Sequence, residues 1–451
     1  MEINTQAGVL SFEDAYEVVR AYCRHKAMLL QTRSEEVALL AALGRVLAEP
    51  VVADRDFPPF PRATRDGYAV CSQDLENGLA MLRVVGQVKA GDTYDLPLAL
   101  GEAVEIMTGA AVPAGADAVV MVEHTARKTA EKQKTGRGVA EAQAANTENV
   151  DDIIGIEERK GNAAVVTVTE ELVEIQRETS AGENIVPAGA EAKAGQELLP
   201  RGLRLGPAQL SLAAAAGKPS LTVYRKPRVA ILSTGDELVE VAEKPGPNQI
   251  RNSNSYSLAA EVAACGGEAV QLPIAPDEAG KLTELIQEGL KADLLLLSGG
   301  VSMGKFDLVE HALKNLGAAF FFTGALIQPG RPVVFGETGA VPFFGLPGNP
   351  VSVMVTFELF ARQVVETLGR GEPSRLKSAK VRLAKSLRTK TGLTRFLPAR
   401  MTGGLHDPEV EVVPWQGSGD MLAASHANCY LVVPPDRESL TEDEMVTVVI
   451  H

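Results

Sequence analysis

The chain is poor in the residues that build metal and redox centres from sulfur and imidazole. It has four cysteines and six histidines in 451 residues. Cys23, Cys71, Cys265 and Cys429 lie far apart and form no C-x-x-C pair. That argues against a zinc knuckle or a dithiol redox motif and leaves free, partly buried thiols. The histidines show no H-x-x-x-H spacing, so an imidazole-based metal site is not indicated either. No uninterrupted apolar stretch approaches a membrane span. Residues 1–8 lack the basic start and apolar run of a signal peptide, and the expectation is a cytoplasmic location with no membrane partner. Basic charge is also in deficit, with 44 Lys and Arg against 58 Asp and Glu and a formal net charge of −14. This argues against nucleic-acid binding through a broad basic surface. Such a chain can still take a phosphorylated ligand through a local basic pocket and oriented amides, or use its carboxylates to hold a divalent cation.

What is present is ordinary for a soluble globular protein, at 45% hydrophobic and 23% charged residues. The length is too great for one core and enough for three or four domains. Ser11-Phe12-Glu13-Asp14 reads as a helix start, with Phe12, Ala15, Tyr16, Val19 and Tyr22 or Cys23 as its apolar stripe. A second helix is expected over 34–48, stopped by Pro50. The run Asp56-Phe57-Pro58-Pro59-Phe60-Pro61 must be rigid and extended. From Tyr68 to about Ile185, short alternating runs punctuated by glycine predict a β-rich domain. Within it, 126–160 is polar, alanine-rich and charge-mixed, and reads as a long surface excursion. Pro207 and Gly217 bracket a helix. Strand-like and helix-like segments then alternate from Arg228 to about Leu368, which predicts a doubly wound parallel sheet. Alternating runs after a linker at 369–373 predict a terminal β-barrel or sandwich. The fold class is therefore α/β with β-rich appendages. Its expected domains are 9–52 with 186–226 as a mixed linker domain, 53–185 as an inserted β-rich domain, 227–370 as the central α/β domain and 371–451 as a C-terminal β-barrel-like domain.

Two loops dominate the α/β region. Ser298-Gly299-Gly300-Val301-Ser302-Met303-Gly304-Lys305-Phe306-Asp307 follows one apolar run, and Gly345-Leu346-Pro347-Gly348-Asn349-Pro350-Val351-Ser352 follows another. Each reads as a buried parallel strand opening into a turn whose N–H groups can face an anion at a helix start. Two such turns suggest a phosphate-bearing ligand across the strand ends. Ser233-Thr234-Gly235-Asp236-Glu237-Leu238 and Asp277 end two further strands and should approach the same crevice. Glu237, Asp277 and Asp307 would then sit beside phosphate, which calls for a mediating divalent ion, with Mg2+ the natural choice. The alternative is that each acid caps a helix or turn. Asp66-Gly67 reads as a tight turn or as a carboxylate fixed by the proline-rich approach. Thr108, in Met107-Thr108-Gly109-Ala110, is an exposed turn hydroxyl or a plain loop threonine. Arg331, between Gly330 and Pro332, is a bidentate phosphate clamp or a solvated arginine.

These motifs, in this order, resemble the molybdopterin molybdenumtransferase (MoeA) family, similar to the E domain of gephyrin. The resemblance spans nearly the whole chain. It implies an elongated four-part subunit that forms a homodimer with a composite active site. It also implies insertion of molybdate into adenylylated molybdopterin, with Mg2+-dependent release of AMP and formation of molybdenum cofactor. Asp66, Thr108, Glu237, Asp277 and Asp307 occupy the family's active-site positions, with Glu237, Asp277 and Asp307 as metal ligands. Substrate contacts are expected from Gly299, Gly300, Ser302, Gly348, Asn349 and Arg331. Ser418 matches a family serine from the C-terminal domain, Glu191 stands where the family often has aspartate, and an arginine expected near Phe396 stands at Arg400. Gly324 and Gln328 replace lysines common in the family. A molybdopterin adenylyltransferase is a possible partner. The competing readings are a related adenylyltransferase-like enzyme and a non-catalytic scaffold of the gephyrin E type.

Overall fold

The structure, a computed structural model, describes residues 8–30, 33–135, 153–157, 165–299, 306–371, 375–404 and 406–450. The chain forms two compact units. Val51–Leu199 with the short Ala215–Gly217 make one, and the remainder makes the other.

The first of these units is built on a sheet of seven strands. Gly67–Val70 lies between Glu102–Ile106 and Ala118–Met121, antiparallel to both. All four of its residues are buried. Gly67 is required here, because a Cβ would stand 1.8 Å from the carbonyl oxygen of Val120. Asp66-Gly67 therefore opens a central strand and is not a tight turn, which corrects one reading of the sequence. The stretch 126–160, read from the sequence as a surface excursion, contains strands. Thr125–Thr135 is a strand, paired along its length with Val165–Ile175, and Ile153–Glu157 pairs on the other side of that strand. Charged residues such as Arg127, Lys128 and Glu131 interrupt the alternating pattern that would reveal the first of these strands. Residues 136–152 and 158–160 lie outside those described.

The other unit centres on a six-stranded sheet ordered Glu268–Gln271, Arg228–Ser233, Leu294–Ser298, Val341–Leu346, Val334–Thr338, Ala319–Phe322. The first four are parallel, and the last two add an antiparallel edge. The run Leu294–Leu297 shows why the sequence is apolar without alternation: successive side chains point to opposite faces, and both faces are covered. Leu294 and Leu296 join one core with Leu258, Val262 and Phe344, whereas Leu295 and Leu297 join another with Leu282, Ile286 and Val309. The helix Phe12–Leu29 starts at Ser11, whose side chain accepts from Asp14 N–H, and buries Ala15, Val19, Tyr22 and Cys23.

The expected helix over 34–48 does not form. Ser34–Ala38 is a strand paired with Ser220–Tyr224, followed by a 3-10 turn at Leu39–Ala42. Gly44 then takes φ +74°. Leu40 and Leu43 stay exposed while Ala42, Val46 and Leu47 are buried. Tertiary pairing overrides the local helix propensity of this alanine- and leucine-rich stretch.

In the C-terminal region Ser378–Leu383, Thr394–Gly403, Pro408–Val412, Cys429–Val433 and Met445–Ile450 close into a five-stranded barrel, because Thr394–Gly403 pairs with both Pro408–Val412 and Cys429–Val433. Ile327–Gln328 pairs in parallel with Thr394 and Arg395 and ties the barrel to the α/β sheet.

Phe335 anchors the larger core. It is fully buried, stacks on Phe344 at 4.4 Å between centroids and meets Tyr22 edge-on at 5.2 Å. Phe335→Ala should destabilise this unit by about 3–5 kcal/mol. Urea unfolding followed by near-ultraviolet circular dichroism measures it, and a loss well under 1 kcal/mol would contradict the packing.

Candidate functional site

Four segments meet at the carboxyl ends of the parallel strands. Ser233 and Ser298 end neighbouring strands in register, and Thr234 N–H donates to Ser298 O at 3.0 Å. The loop after Ser233 is stitched to the loop that carries Asp277. Ala275 N–H donates to Ser233 O (2.8 Å), Gly235 N–H to Ala275 O (3.2 Å) and Asp277 N–H to Asp236 Oδ1 (3.0 Å). Glu237 folds back over Gly235, where a Cβ would lie 2.5 Å from its Oε2. Gly235, at φ +143°, thus makes room for that carboxylate. The structure brings Glu237 and Asp277 onto adjoining loops at one sheet edge.

The two glycine turns also meet. Gly299 takes φ +91°, and a Cβ on it would press to 2.6 Å from Thr234 O. A Cβ on Gly348 would stand 3.6 Å from Gly299 Cα, so the two glycines are neighbours. Asn254, at the start of the helix Asn254–Ala264, bridges them: its Nδ2 donates to Ser298 Oγ (3.0 Å) and to Gly348 O (2.8 Å). Asn252 braces the next strand end, accepting from Ser233 Oγ at 3.0 Å. Sequence reasoning missed Asn254 and Asp236. The cluster Asn252-Ser253-Asn254-Ser255 ahead of an apolar helix was the available signal, since such residues favour helix starts.

Asn349 donates from Nδ2 to Ser418 Oγ (2.8 Å), and Ser418 O accepts from Val351 N–H (3.0 Å). The Ser418 segment is thus held against the Gly348-Asn349 turn. One amide at the start of Pro350–Thr356 is thereby occupied by protein, where the sequence suggested donors open to an anion. Gly300 and Ser302 lie outside the described residues, as does the side chain of Asp307, which stands in the first turn of Phe306–Asn315. Arg331 and Arg400 are exposed, Arg331 in the turn after the Gln328-Pro329 cis peptide and Arg400 on the strand Thr394–Gly403.

In the other unit Asp66 and Thr108 form a pair. Asp66 Oδ1 accepts from both the backbone N–H (2.6 Å) and the hydroxyl (2.7 Å) of Thr108. The pairing of Gly67 with Ile106 places the two at adjacent strand ends. The Thr108 backbone N–H first, and its hydroxyl second, hold the Asp66 carboxyl below its ordinary range. Glu191 is exposed and lies 3.4 Å from Arg62 Nη2.

Two buried oxygens at the α/β strand ends, Thr234 Oγ1 and Asn254 Oδ1, have no partner among the described residues. Buried polar atoms are almost always satisfied, so this pair still needs a partner from beyond the described residues. The donors there are carboxylate, hydroxyl and amide oxygens, the set that hard cations such as Mg2+ prefer. Among the described residues no three His, Cys, Asp or Glu side chains gather as a metal cage. Mg2+ does not need one, since it commonly takes one or two carboxylates with substrate phosphates and waters. The residues present therefore fit such an ion.

Fold and site define a multidomain chain whose central α/β sheet gathers glycine turns and carboxylates at its carboxyl edge. Family models match in chain order: the MoeA N-terminal region (domain I and II) over 10–217, a probable molybdopterin binding domain over 230–367 and the MoeA C-terminal region (domain IV) over 380–450. The molybdopterin molybdenumtransferase of Nostoc is 35% identical, over 75% of this chain and 70% of that protein. That of Bacillus subtilis is 30% identical, over 96% of this chain and 93% of its own. A solved molybdopterin biosynthesis moeA protein from Pyrococcus horikoshii OT3 superposes with a TM-score of 0.72 at 25% identity, covering 98% of this chain and 100% of the other. The chain belongs to the MoeA family, as the resemblance in its motifs implied.

Because the hydroxyl of Thr108 contributes to the depressed Asp66 pKa, Thr108→Val should raise the Asp66 titration midpoint part of the way toward about 3.9. The retained backbone N–H keeps it from reaching that value. The sign follows from linkage: a depressed folded-state pKa contributes stability above the unfolded value, which is lost as pH falls through the folded one. Carbon-13 NMR of the Asp66 carboxyl measures the midpoint, and an unchanged value in the variant would remove the hydroxyl from the account.

Proposed function

We propose that this chain is a molybdopterin molybdenumtransferase that inserts molybdate into adenylylated molybdopterin, releasing AMP and forming molybdenum cofactor. What carries the reading is the meeting of the Glu237, Asp277, Gly299 and Gly348 loops at one sheet edge, around Thr234 Oγ1 and Asn254 Oδ1, which have no partner among the described residues. Membership in a family whose curated relatives bear that activity in their names supports it. The homodimer expected from the resemblance and a delivering adenylyltransferase belong to the same reading.

In this mechanism the Gly299 and Gly348 turns bring backbone close to the phosphates, where a side chain would block approach. Asn254 holds the two turns in register, so the cradle is set before substrate arrives. Glu237, Asp277 and Asp307 would hold Mg2+, which when bound neutralises charge on phosphate oxygens as the phosphoanhydride breaks. Ser418, fixed through Asn349, and Arg400 supply donors for molybdate. Asp66 stays ionised at neutral pH, with Thr108 fixing its rotamer, and in the composite site that the homodimer implies it would orient a water or a protonated molybdate oxygen. Holding both reactants in one cleft couples insertion to phosphoanhydride cleavage by proximity.

The decisive experiment mixes purified protein with adenylylated molybdopterin, molybdate and Mg2+. AMP release should require both molybdate and Mg2+, and release indifferent to molybdate would sink the proposal. Asp307→Asn should slow AMP release by roughly 10²-fold or more. Near-normal cofactor synthesis at matched protein level would remove Asp307 from the site.

A further inference from the structure

The opposite end of the α/β sheet holds a feature that the activity does not use. A cavity of about 950 Å³ opens at the amino ends of the parallel strands, beside Arg228, Asp293 and Val341. The six-residue strand Arg228–Ser233 separates it from the carboxyl-end loops. At about 3.3 Å per residue the two ends lie roughly 17 Å apart.

Seven Lys and Arg residues line this cavity against two acids, in a chain that carries a formal charge of −14. Both acids are already engaged. Asp293 Oδ2 accepts from Arg228 N–H (2.7 Å), and Glu337 Oε1 accepts from Tyr22 (2.9 Å) and Lys26 (3.0 Å). Among the described residues no side-chain hydrogen bond or ion pair is made by Arg33, Arg225, Lys226 or Arg228. Arg225 N–H donates to Arg33 O at 3.0 Å, which sets those two residues side by side. Like charges brought together in a concave wall repel, and the arrangement focuses a positive field into the cavity.

Arg370 adds two observations. It follows the helix Arg362–Leu368 in the left-handed region at φ +62°, a conformation usually left to glycine or asparagine. Its terminal nitrogens donate to Ala27 O and Leu30 O, yet its Nε is buried without an acceptor among the described residues. A charged residue kept in a strained position, with an unsatisfied donor, fits a role in holding an anion.

We propose that this cavity binds a small molecule of nucleotide size carrying a chain of two or more phosphates, at a site separate from the carboxyl-end loops. One phosphate would leave most of the cations uncompensated, whereas a polyphosphate matches several of them. The volume reaches the upper part of the range for small-molecule sites, so there is room beyond the phosphates. Tyr22, Leu29 and Phe321 supply apolar wall.

The test is calorimetric titration of the full chain with inorganic tripolyphosphate and, separately, with ATP. With Mg2+ withheld so that the carboxyl-end turns lack their proposed cation, tripolyphosphate should bind one per chain, more weakly as salt rises. Binding should weaken at least tenfold in Arg225→Gln/Arg228→Gln and also fall in Arg33→Gln, an exposed single change, with melting temperatures without ligand checking that both variants fold. Thr234→Val should leave it unchanged. Tighter binding of ATP than of tripolyphosphate would identify a nucleotide, and equal binding a site for the phosphate chain alone. No binding, undiminished binding in the arginine variants, or loss in Thr234→Val would each overturn the proposal. None of these outcomes depends on whether molybdate insertion occurs.

Discussion

Main chain can approach main chain at the carboxyl edge of the α/β sheet only where a side chain is missing, and the proposed site depends on that approach. Gly299 turns back against Thr234 with no space for a Cβ, and Gly348 comes to rest beside it. Once the two turns are this close, a single side chain can span both. Asn254 does so with one amide nitrogen, at 3.0 Å and 2.8 Å. Gly235 makes the same provision for the Glu237 carboxylate. Glycine serves the site by leaving room, and the polar residues around it fix what enters that room.

The strand edge is held from both sides. Beneath it lie two apolar layers, divided between the faces by the alternation of Leu294 to Leu297. Against it rests the Ser418 segment, attached through its own carbonyl to Val351 N–H and through its hydroxyl to Asn349. Packing below and hydrogen bonds at the side fix the Gly348-Asn349 turn, the kind of support that preorganised chemistry requires. The Asp66–Thr108 pair shows the same economy in the other unit, where strand register brings a carboxylate to a backbone donor and a hydroxyl.

The charge distribution divides the two ends of the sheet. The carboxyl end presents oxygen donors suited to a cation and a phosphate together. The amino end gathers Arg33, Arg225, Lys226 and Arg228, which make no side-chain ion pair among the described residues, and has both of its acids engaged. The net charge of −14 concealed this, since a sum over the chain says nothing about where its cations collect.

Local pattern was enough for the elements that carry strong signals: the Ser11-capped helix, the buried strands of the α/β sheet, the helix between Pro207 and Gly217, and the barrel strands. It was enough for the family too, because glycine, acidic and proline positions recur in fixed order along the chain. It failed at 34–48, where the distant partner strand Ser220–Tyr224 supplies the hydrogen bonds that decide between helix and strand. At 125–135 local pattern did not show the strand, whose partner is Val165–Ile175. The chain alone named Glu237, Asp277, Gly299 and Gly348. Only the folded molecule showed Asn254 joining two turns, Ser418 filling an amide, Asp66 meeting Thr108, and cations gathering at the other end of the sheet. Residue type is written in the sequence, but hydrogen bonds and electrostatic fields depend on distances that only packing sets.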